Sequence, residues 1–297
     1  MVSREVFRIL MATYSVIIPA YNCAETLAET LDSVMAQRHL ATEIIVVNDG
    51  STDATCTLLD DYSSHHKLRV IHQDNLGLGT ARNRGAQQAT GEWLVFLDSD
   101  DVWTPNKIIA LENFVQKEPS AQWIYHRIWE WSEGGDLRPR KIIPYSNFSD
   151  LWNHNPFTPS AVAIKREVFL EAGGWESKRD RVEDLGLWKS LIDLGVQPYF
   201  LNLPLTKYRI GSGITSHVED HLTKVSKVWQ EWLDSGDLTS EDYQRALLQK
   251  HYEIGRYFHK QKKYSKALKH YALGDQNFKL KMLVVLAKFG MKILPFG

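Results

Sequence analysis

The sequence predicts an α/β fold, a mostly parallel sheet flanked by helices, with a helical appendage at the C-terminal end. Three observations carry this. Apolar β-branched runs alternate with helix-spaced patterns as far as Asp101. Each polar cluster in that stretch falls where a strand ends and a helix begins. After about His217 the strand signals stop and helical patterns take over. Alternating strands and helices imply right-handed βαβ crossovers, so the polar clusters gather at one sheet edge, where open α/β sheets bind ligands.

The first strand is Tyr14 to Ile18, ending in Pro19, Ala20, Tyr21 and Asn22. Leu27, Leu31, Val34 and Met35 then recur at helical spacing. The second strand, Glu43 to Val47, ends in Asn48, Asp49, Gly50, Ser51, Thr52 and Asp53, and a helix follows through Ala54, Leu58 and Leu59. A third strand, Leu68 to Ile71, leads to the loop Asn75 to Gly79 and a helix from Thr80 to Ala89. The fourth strand, Trp93 to Leu97, stops at three carboxylates, Asp98, Asp100 and Asp101. A buried strand cannot hold three charges, so they belong at its carboxyl end. Crowded carboxylates call for a cation, and oxygen-only ligands favour Mg²⁺ or Mn²⁺, which bridge to phosphate. Taken alone, Asp-x-Asp is also an ordinary polar turn; its weight comes from its surroundings.

Those surroundings suit a nucleotide. Tyr21 can stack on a base or be a half-buried core tyrosine. Asp49 can accept from a base N–H or a ribose hydroxyl, or cap the helix behind it. The Asn75 to Gly79 loop allows close backbone approach, and Arg82 can meet a phosphate. No G-x-G-x-x-G follows the first strand and no G-x-x-x-x-G-K-[ST] occurs, which sets aside a dinucleotide fold and a P-loop NTPase.

Four ordered blocks, SVIIPAYNCAETLAETLDSV, EIIVVNDGSTDAT, NLGLGTARNRGAQQATGEWLVFLDSDD and GGWESKRDRVEDLGLWKSL, resemble family 2 glycosyltransferases over roughly Tyr14 to Ser216. The resemblance implies a GT-A fold and an inverting, metal-dependent transfer of a hexosyl or N-acetylhexosaminyl unit from a nucleoside-diphosphate sugar, UDP-linked by preference. By the same resemblance Pro19, Ala20 and Tyr21 pack on the nucleobase and Asp49 reads it. Asp98 stands near the ribose and Asp100 ligates the metal, with Asp98 beside it. Glu183 and Asp184 form the Glu-Asp pair in which the Asp is the general base. Two departures stand out. Gly186 replaces an acid common in the family, and Tyr208-Arg209 is followed by Ile210, Gly211, Ser212 and Gly213 rather than a His, with His217 several residues late. That Gly-rich segment either cradles the diphosphate through backbone N–H groups or forms a flap.

Composition agrees with an enzyme working in the cytoplasm. The chain has 297 residues, 43% of them hydrophobic, and a formal charge of −1, with no signature of nucleic-acid binding. Cys23 and Cys56 make no disulfide framework. Val6 to Met11 is too short for a signal peptide, and no segment has the length and apolarity to span a membrane.

The expected catalytic domain is 1–217, with a nucleotide-sugar half at 13–101 and an acceptor half at 102–217. In the latter, Gln122 to Trp131 and Ala161 to Lys165 read as strands, and Trp152 or His154 is a candidate acceptor contact. Trp123, Trp129 and Trp131 are either sugar platforms or packing residues. The region 218–297 should be helical, with Tyr252 to Tyr271 resembling a tetratricopeptide-like hairpin. The segment 278–296 combines four lysines with large apolar residues and no acid, which suits either an interfacial helix drawn to anionic lipid or a C-terminal core helix.

The reading is a glycosyltransferase that extends a glycan or lipid-linked glycan of the cell surface, peripheral on the cytoplasmic membrane through 278–296. The alternatives are a metal-dependent nucleotidyltransferase and a carbohydrate- or partner-binding protein with a decayed site. The first lacks its Gly-rich basic loop after the first strand, and intact Asp98, Asp100 and Asp184 count against the second.

Overall fold

The computed structural model describes residues 12–132, 135–178, 182–210 and 218–274. Its strands are β1 (Tyr14–Ala20), β2 (Glu43–Asp49), β3 (Leu68–Gln73), β4 (Trp93–Phe96), β5 (Val102–Trp103), β6 (Trp123–Ser132), β7 (Leu137–Pro139), β8 (Val162–Lys165) and β9 (Pro198–Ile210). The helices are α1 (Leu27–Met35), α2 (Thr55–Asp61), α3 (Leu78–Gln88), α4 (Lys107–Lys117), α5 (Asp150–Asn153), α6 (Arg166–Glu171), α7 (Glu183–Asp193), α8 (Val218–Asp234), α9 (Ser240–Lys260) and α10 (Tyr264–Leu273). The chain divides into two compact units, Met1–Ser146 with Pro156–Ser212, and Asn147–Asn155 with Gly213–Gly297.

The first unit is built on one sheet in the order β3-β2-β1-β4-β8-β6-β9-β5, with β7 added to β6. The first four neighbours run parallel, β8 pairs antiparallel with both β4 and β6, and β9 runs parallel to β6. Every residue of β1 and β4 is buried, as an apolar run covered on both faces requires. The chain moves outward from β1 to β3 and returns to β4 on the other side of β1. The order therefore reverses between β1 and β4, and a ligand crevice opens beyond the carboxyl ends of those two strands.

The loops at that edge are tied to one another. Asn22 has a φ of 46°, a left-handed conformation that asparagine tolerates. Its side-chain oxygen accepts from the Thr52 N–H at 2.8 Å, and its own N–H donates to Ser51 Oγ at 3.0 Å, so the β1 loop grips the β2 loop. Gly50 has a φ of 72°, and a Cβ there would lie 2.7 Å from the Asn75 nitrogen. Glycine is required on both counts, and it lets the β3 loop close over the end of β2.

The second unit is helical in the described chain. The short α5 carries Trp152, buried against Phe148 and Trp232 of α8. Trp152 therefore packs in this unit's core. The helices α9 and α10 form a hairpin around Ile254, Phe258, Ala267 and Tyr271. Among the described residues no helix is long and apolar enough to cross a membrane. The segment 278–296 lies outside the described residues, as do Gly211 to His217.

Helix α3 lies so close to β1 that a Cβ on Gly85 would sit 2.6 Å from Ile17 Cγ2 and 3.3 Å from Val47 Cγ2. Alanine is the better helix former by about 1 kcal/mol. Forcing a methyl into a packed core costs about 1–3 kcal/mol, and Ile17 and Val47 are fully buried with nowhere to move. Gly85→Ala is therefore expected to lower the unfolding free energy by about 1 kcal/mol, read from urea denaturation. A more stable variant would show that the helix can lift off the strand at little cost.

Candidate active site at the carboxyl edge of the sheet

Pro19 and Ala20 are buried at the end of β1, and Tyr21 emerges from it 48% exposed, an open aromatic face beside the crevice. Asp49, at the end of β2, is only 3% exposed. Its Oδ1 accepts from Gln73 Nε2 at 2.6 Å and from the Leu76 N–H at 2.9 Å, and its Oδ2 accepts from the Gly77 N–H at 2.9 Å. A carboxylate has about four acceptor positions. Asp49 thus spends most of its capacity holding the β3 loop and keeps room for about one further donor. Asn75 sits exposed on that loop.

Arg82 lies at the centre. The sequence reading sets it against a phosphate; the structure turns its guanidinium to two protein carboxylates. It is 1% exposed, with Nη1 on Glu183 Oε1 at 2.9 Å and Nη2 on Asp98 Oδ1 at 2.5 Å. Its Cζ lies over the Trp175 ring, 4.6 Å from the centroid. A planar fork that donates in two directions while stacking on an aromatic is chemistry that lysine cannot supply. Trp175 is held in turn by Asn83, which accepts from its N–H at 2.8 Å and donates to its carbonyl at 2.7 Å.

Glu183 and Asp184 open α7, where their charges favour the helix dipole. Glu183 is buried, and burial raises its pKa while the Arg82 charge opposes the rise. Asp184 is half-buried, and desolvation raises its carboxyl too, again opposed by Arg82. An acid held above the ordinary carboxylate range at the mouth of a crevice is suited to taking up a proton. At Gly186 an added Cβ would overlap the Glu176 carboxylate, so a neighbouring acid fills the space left by the missing side chain.

The loop Asp98 to Asp101 is gripped by its backbone. Asp98 N–H donates to Ser160 Oγ at 3.0 Å. The Ser99 carbonyl accepts from the hydroxyls of Thr26 and Thr30, each at 2.9 Å. Arg209 Nε donates to the Asp100 carbonyl at 2.9 Å, and the Arg209 N–H to Asp101 Oδ1 at 2.9 Å. Asp98 and Asp100 stand half-buried at the edge, whereas Asp101 is buried and its pKa is driven well up by burial, Asp100 and Asp98. The structure thus gathers Asp98, Arg82 and Glu183 directly and separates Asp101 from the cleft. Sequence reasoning passed over Ser160 and Gln73 as braces of these loops. A lone hydroxyl or amide carries no spacing signal.

Among the described residues no three acidic, histidine or cysteine side chains cluster closely enough to hold a metal alone. Mg²⁺-type ions are often held by one or two carboxylates, with substrate phosphates and water completing the shell. Asp98 and Asp100, oxygen donors half-buried at an open edge, fit that mode.

Removing the central cation tests this arrangement. Arg82→Met strips the charge from two buried or half-buried acids, and breaking a buried pair on one side costs about 3–5 kcal/mol. Without Arg82, the folded-state pKa of Glu183 climbs further above its unfolded value. A raised acid contributes stability that is present below the unfolded pKa and lost as pH rises through the folded one. The deficit against wild type should therefore widen from acid toward neutral pH in urea melts. A pH-independent deficit would mean that Glu183 does not depend on Arg82.

The family model described as Glycosyl transferase family 2 matches residues 15–173. TuaG of Bacillus subtilis, named for teichuronic acid biosynthesis, is 30% identical over 222 residues, which is 73% of this chain and 87% of TuaG. A glycosyltransferase of Rickettsia felis is 32% identical over 77% of this chain but only 39% of its own length. The crystal structure of S. aureus TarS 1–349 in complex with UDP-GlcNAc has the same fold, with a TM-score of 0.61 at 18% identity, covering 94% of this chain and 88% of that one. The matched span runs from β1 through α6, taking in Tyr21, Asp49, Arg82, Asp98 and Asp100 on the way, and this chain belongs to glycosyl transferase family 2.

Proposed function

We propose that this protein is an inverting, cation-dependent glycosyltransferase that moves a sugar from a UDP-linked donor to a hydroxyl of a cell-surface glycan or lipid-linked glycan. The carrying observation is Arg82, which joins the Asp98 edge to the helix that presents Asp184. The UDP-GlcNAc complex of TarS and the teichuronic acid name of TuaG support the donor and acceptor classes.

In this reading Tyr21 covers the nucleobase, with Pro19 and Ala20 as its floor, and Asp49 accepts one base N–H. Asn75 borders the same subsite. Asp98 and Asp100 would hold Mg²⁺ or Mn²⁺, and a cation bound there supplies positive charge beside the leaving diphosphate. Asp184 takes the proton of the acceptor hydroxyl as its oxygen bonds to the anomeric carbon. The bond from that carbon to the diphosphate breaks, and the nucleoside diphosphate leaves from the opposite face. Glu183, pinned by Arg82, fixes the first turn of α7 so that Asp184 stays on the acceptor side.

Asp184→Asn keeps the shape and loses the base. Transfer should fall about 10²–10⁴-fold with UDP-sugar binding retained in calorimetry. A base must be ionised to work, so wild-type kcat/KM should fall as pH drops through the raised Asp184 pKa, and the variant should lose that acid limb. A variant within a few-fold of wild type would move the base elsewhere.

The basic, apolar segment 278–296 is proposed as a peripheral contact with anionic lipid. Deleting it should release the protein from anionic vesicles and leave transfer to a soluble acceptor intact. Salt should weaken the vesicle binding of the full chain. Equal vesicle binding with and without the segment would end this reading.

A further inference from the structure

A second buried basic residue lies beneath the acidic loop, and the chemistry above does not use it. Lys107 opens α4 and is fully buried, a rare state for a lysine. Its Nζ donates to the Ser160 carbonyl at 2.9 Å and to Thr206 Oγ1 at 3.2 Å, and it lies 4.2 Å from the centroid of Trp103. Burial drives it toward its neutral form, and the Asp101 charge opposes that.

Ser160 links this lysine to the edge of the sheet. Its carbonyl accepts from both Lys107 and the Thr206 hydroxyl, the latter at 2.9 Å. Its own hydroxyl accepts the N–H of Asp98, the first residue of the acidic loop. Asp101, the last residue of that loop, is buried on the same side, and the Ser160 side chain favours its ionised form against the cost of burial. Lys107 therefore holds the residue that holds Asp98, from behind the loop and without entering the cleft.

We propose that Lys107 is the positioning residue of the cation- and diphosphate-binding loop, acting on Asp98 through Ser160. The proposal rests on the reading of Asp98 and Asp100 given above. An ion whose only service is stability can often be replaced by an apolar side chain of similar volume at no loss. A positioning ion cannot be replaced so without loss of ligand affinity.

The test is calorimetry of UDP binding to the full chain, with and without Mn²⁺, for wild type, Lys107→Met, Ser160→Ala and Asp100→Ala. Outer partners of metal ligands are typically worth about 10–100-fold in metal affinity. A folded Lys107→Met should lose Mn²⁺-dependent UDP affinity by that order and keep its Mn²⁺-independent UDP affinity. Ser160→Ala should lose it in the same way, and the double variant should lose no more than the worse single, because the two act in one chain of contacts. Wild-type Mn²⁺-dependent affinity in a folded Lys107→Met overturns the proposal. Should Lys107→Met fail to fold, Ser160→Ala decides, since it removes only a hydroxyl, and unchanged affinity there also overturns the proposal. If Asp100→Ala keeps full Mn²⁺-dependent binding, the cation reading itself falls, and the role of Lys107 falls with it.

Discussion

The guanidinium of Arg82, shared between Asp98 and Glu183, is the constraint on which the site depends. Taking these charges out of water costs several kcal/mol per ion, recovered only when geometry and hydrogen bonding are good. One cation against two acids, stacked on Trp175, meets that condition in a single arrangement of α3, the end of β4 and the start of α7. The first two are neighbours in the chain, but Glu183 of α7 lies 101 positions from Arg82, so the ion group is a statement of tertiary register. It also explains why Glu183 is raised although an arginine touches it: burial outweighs the attraction.

Aromatic packing holds α7 against that register. Trp188 of α7 stacks on Trp123 of β6 with ring centroids 5.3 Å apart, and it meets Trp175 edge-on at 5.4 Å. Trp175 in turn meets Phe96 of β4 edge-on at 5.0 Å. Large rings fix the helix by shape, each pair adding about 0.5–1.5 kcal/mol beyond its area. Trp123 therefore serves the core, and the polar end of α7 inherits its position from an apolar stack behind it. The acidic loop is held differently. Its backbone groups are consumed by Thr26, Thr30, Ser160 and Arg209, which fixes the path of the chain and sets Asp98 and Asp100 along the edge.

The parallel half of the fold was legible because it uses signals that a sequence carries locally. The predicted helix over Leu27 to Met35 coincides with α1, and the predicted strands agree with β1 to β4 to within a few residues. Continuous apolar runs ending in Asn, Asp and Gly state both a buried strand and its carboxyl end. The mixed half was less legible. β9 runs for 13 residues and pairs parallel with β6, yet Pro198 and Pro204 interrupt it as a pattern. Proline argues against a strand unless a bulge accommodates it, and the β6–β9 register shifts at Arg127, the partner of Pro204.

The sequence by itself determined the α/β class and the edge at which polar residues gather, and it singled out Tyr21, Asp49, Asp98 and Asp100 as candidates, because strand ends and short acidic motifs are properties of adjacent residues; Asp184 was singled out only through the family resemblance. Only the tertiary structure decided what those groups touch. That Arg82 turns to Glu183, 101 positions away, that Asp49 braces the Leu76–Gly77 backbone, and that Lys107 reaches Asp98 through Ser160 all depend on distances across the sheet. Buried charges choose partners by proximity in space and by the cost of leaving any of them unpaired, and neither quantity exists until the chain has folded.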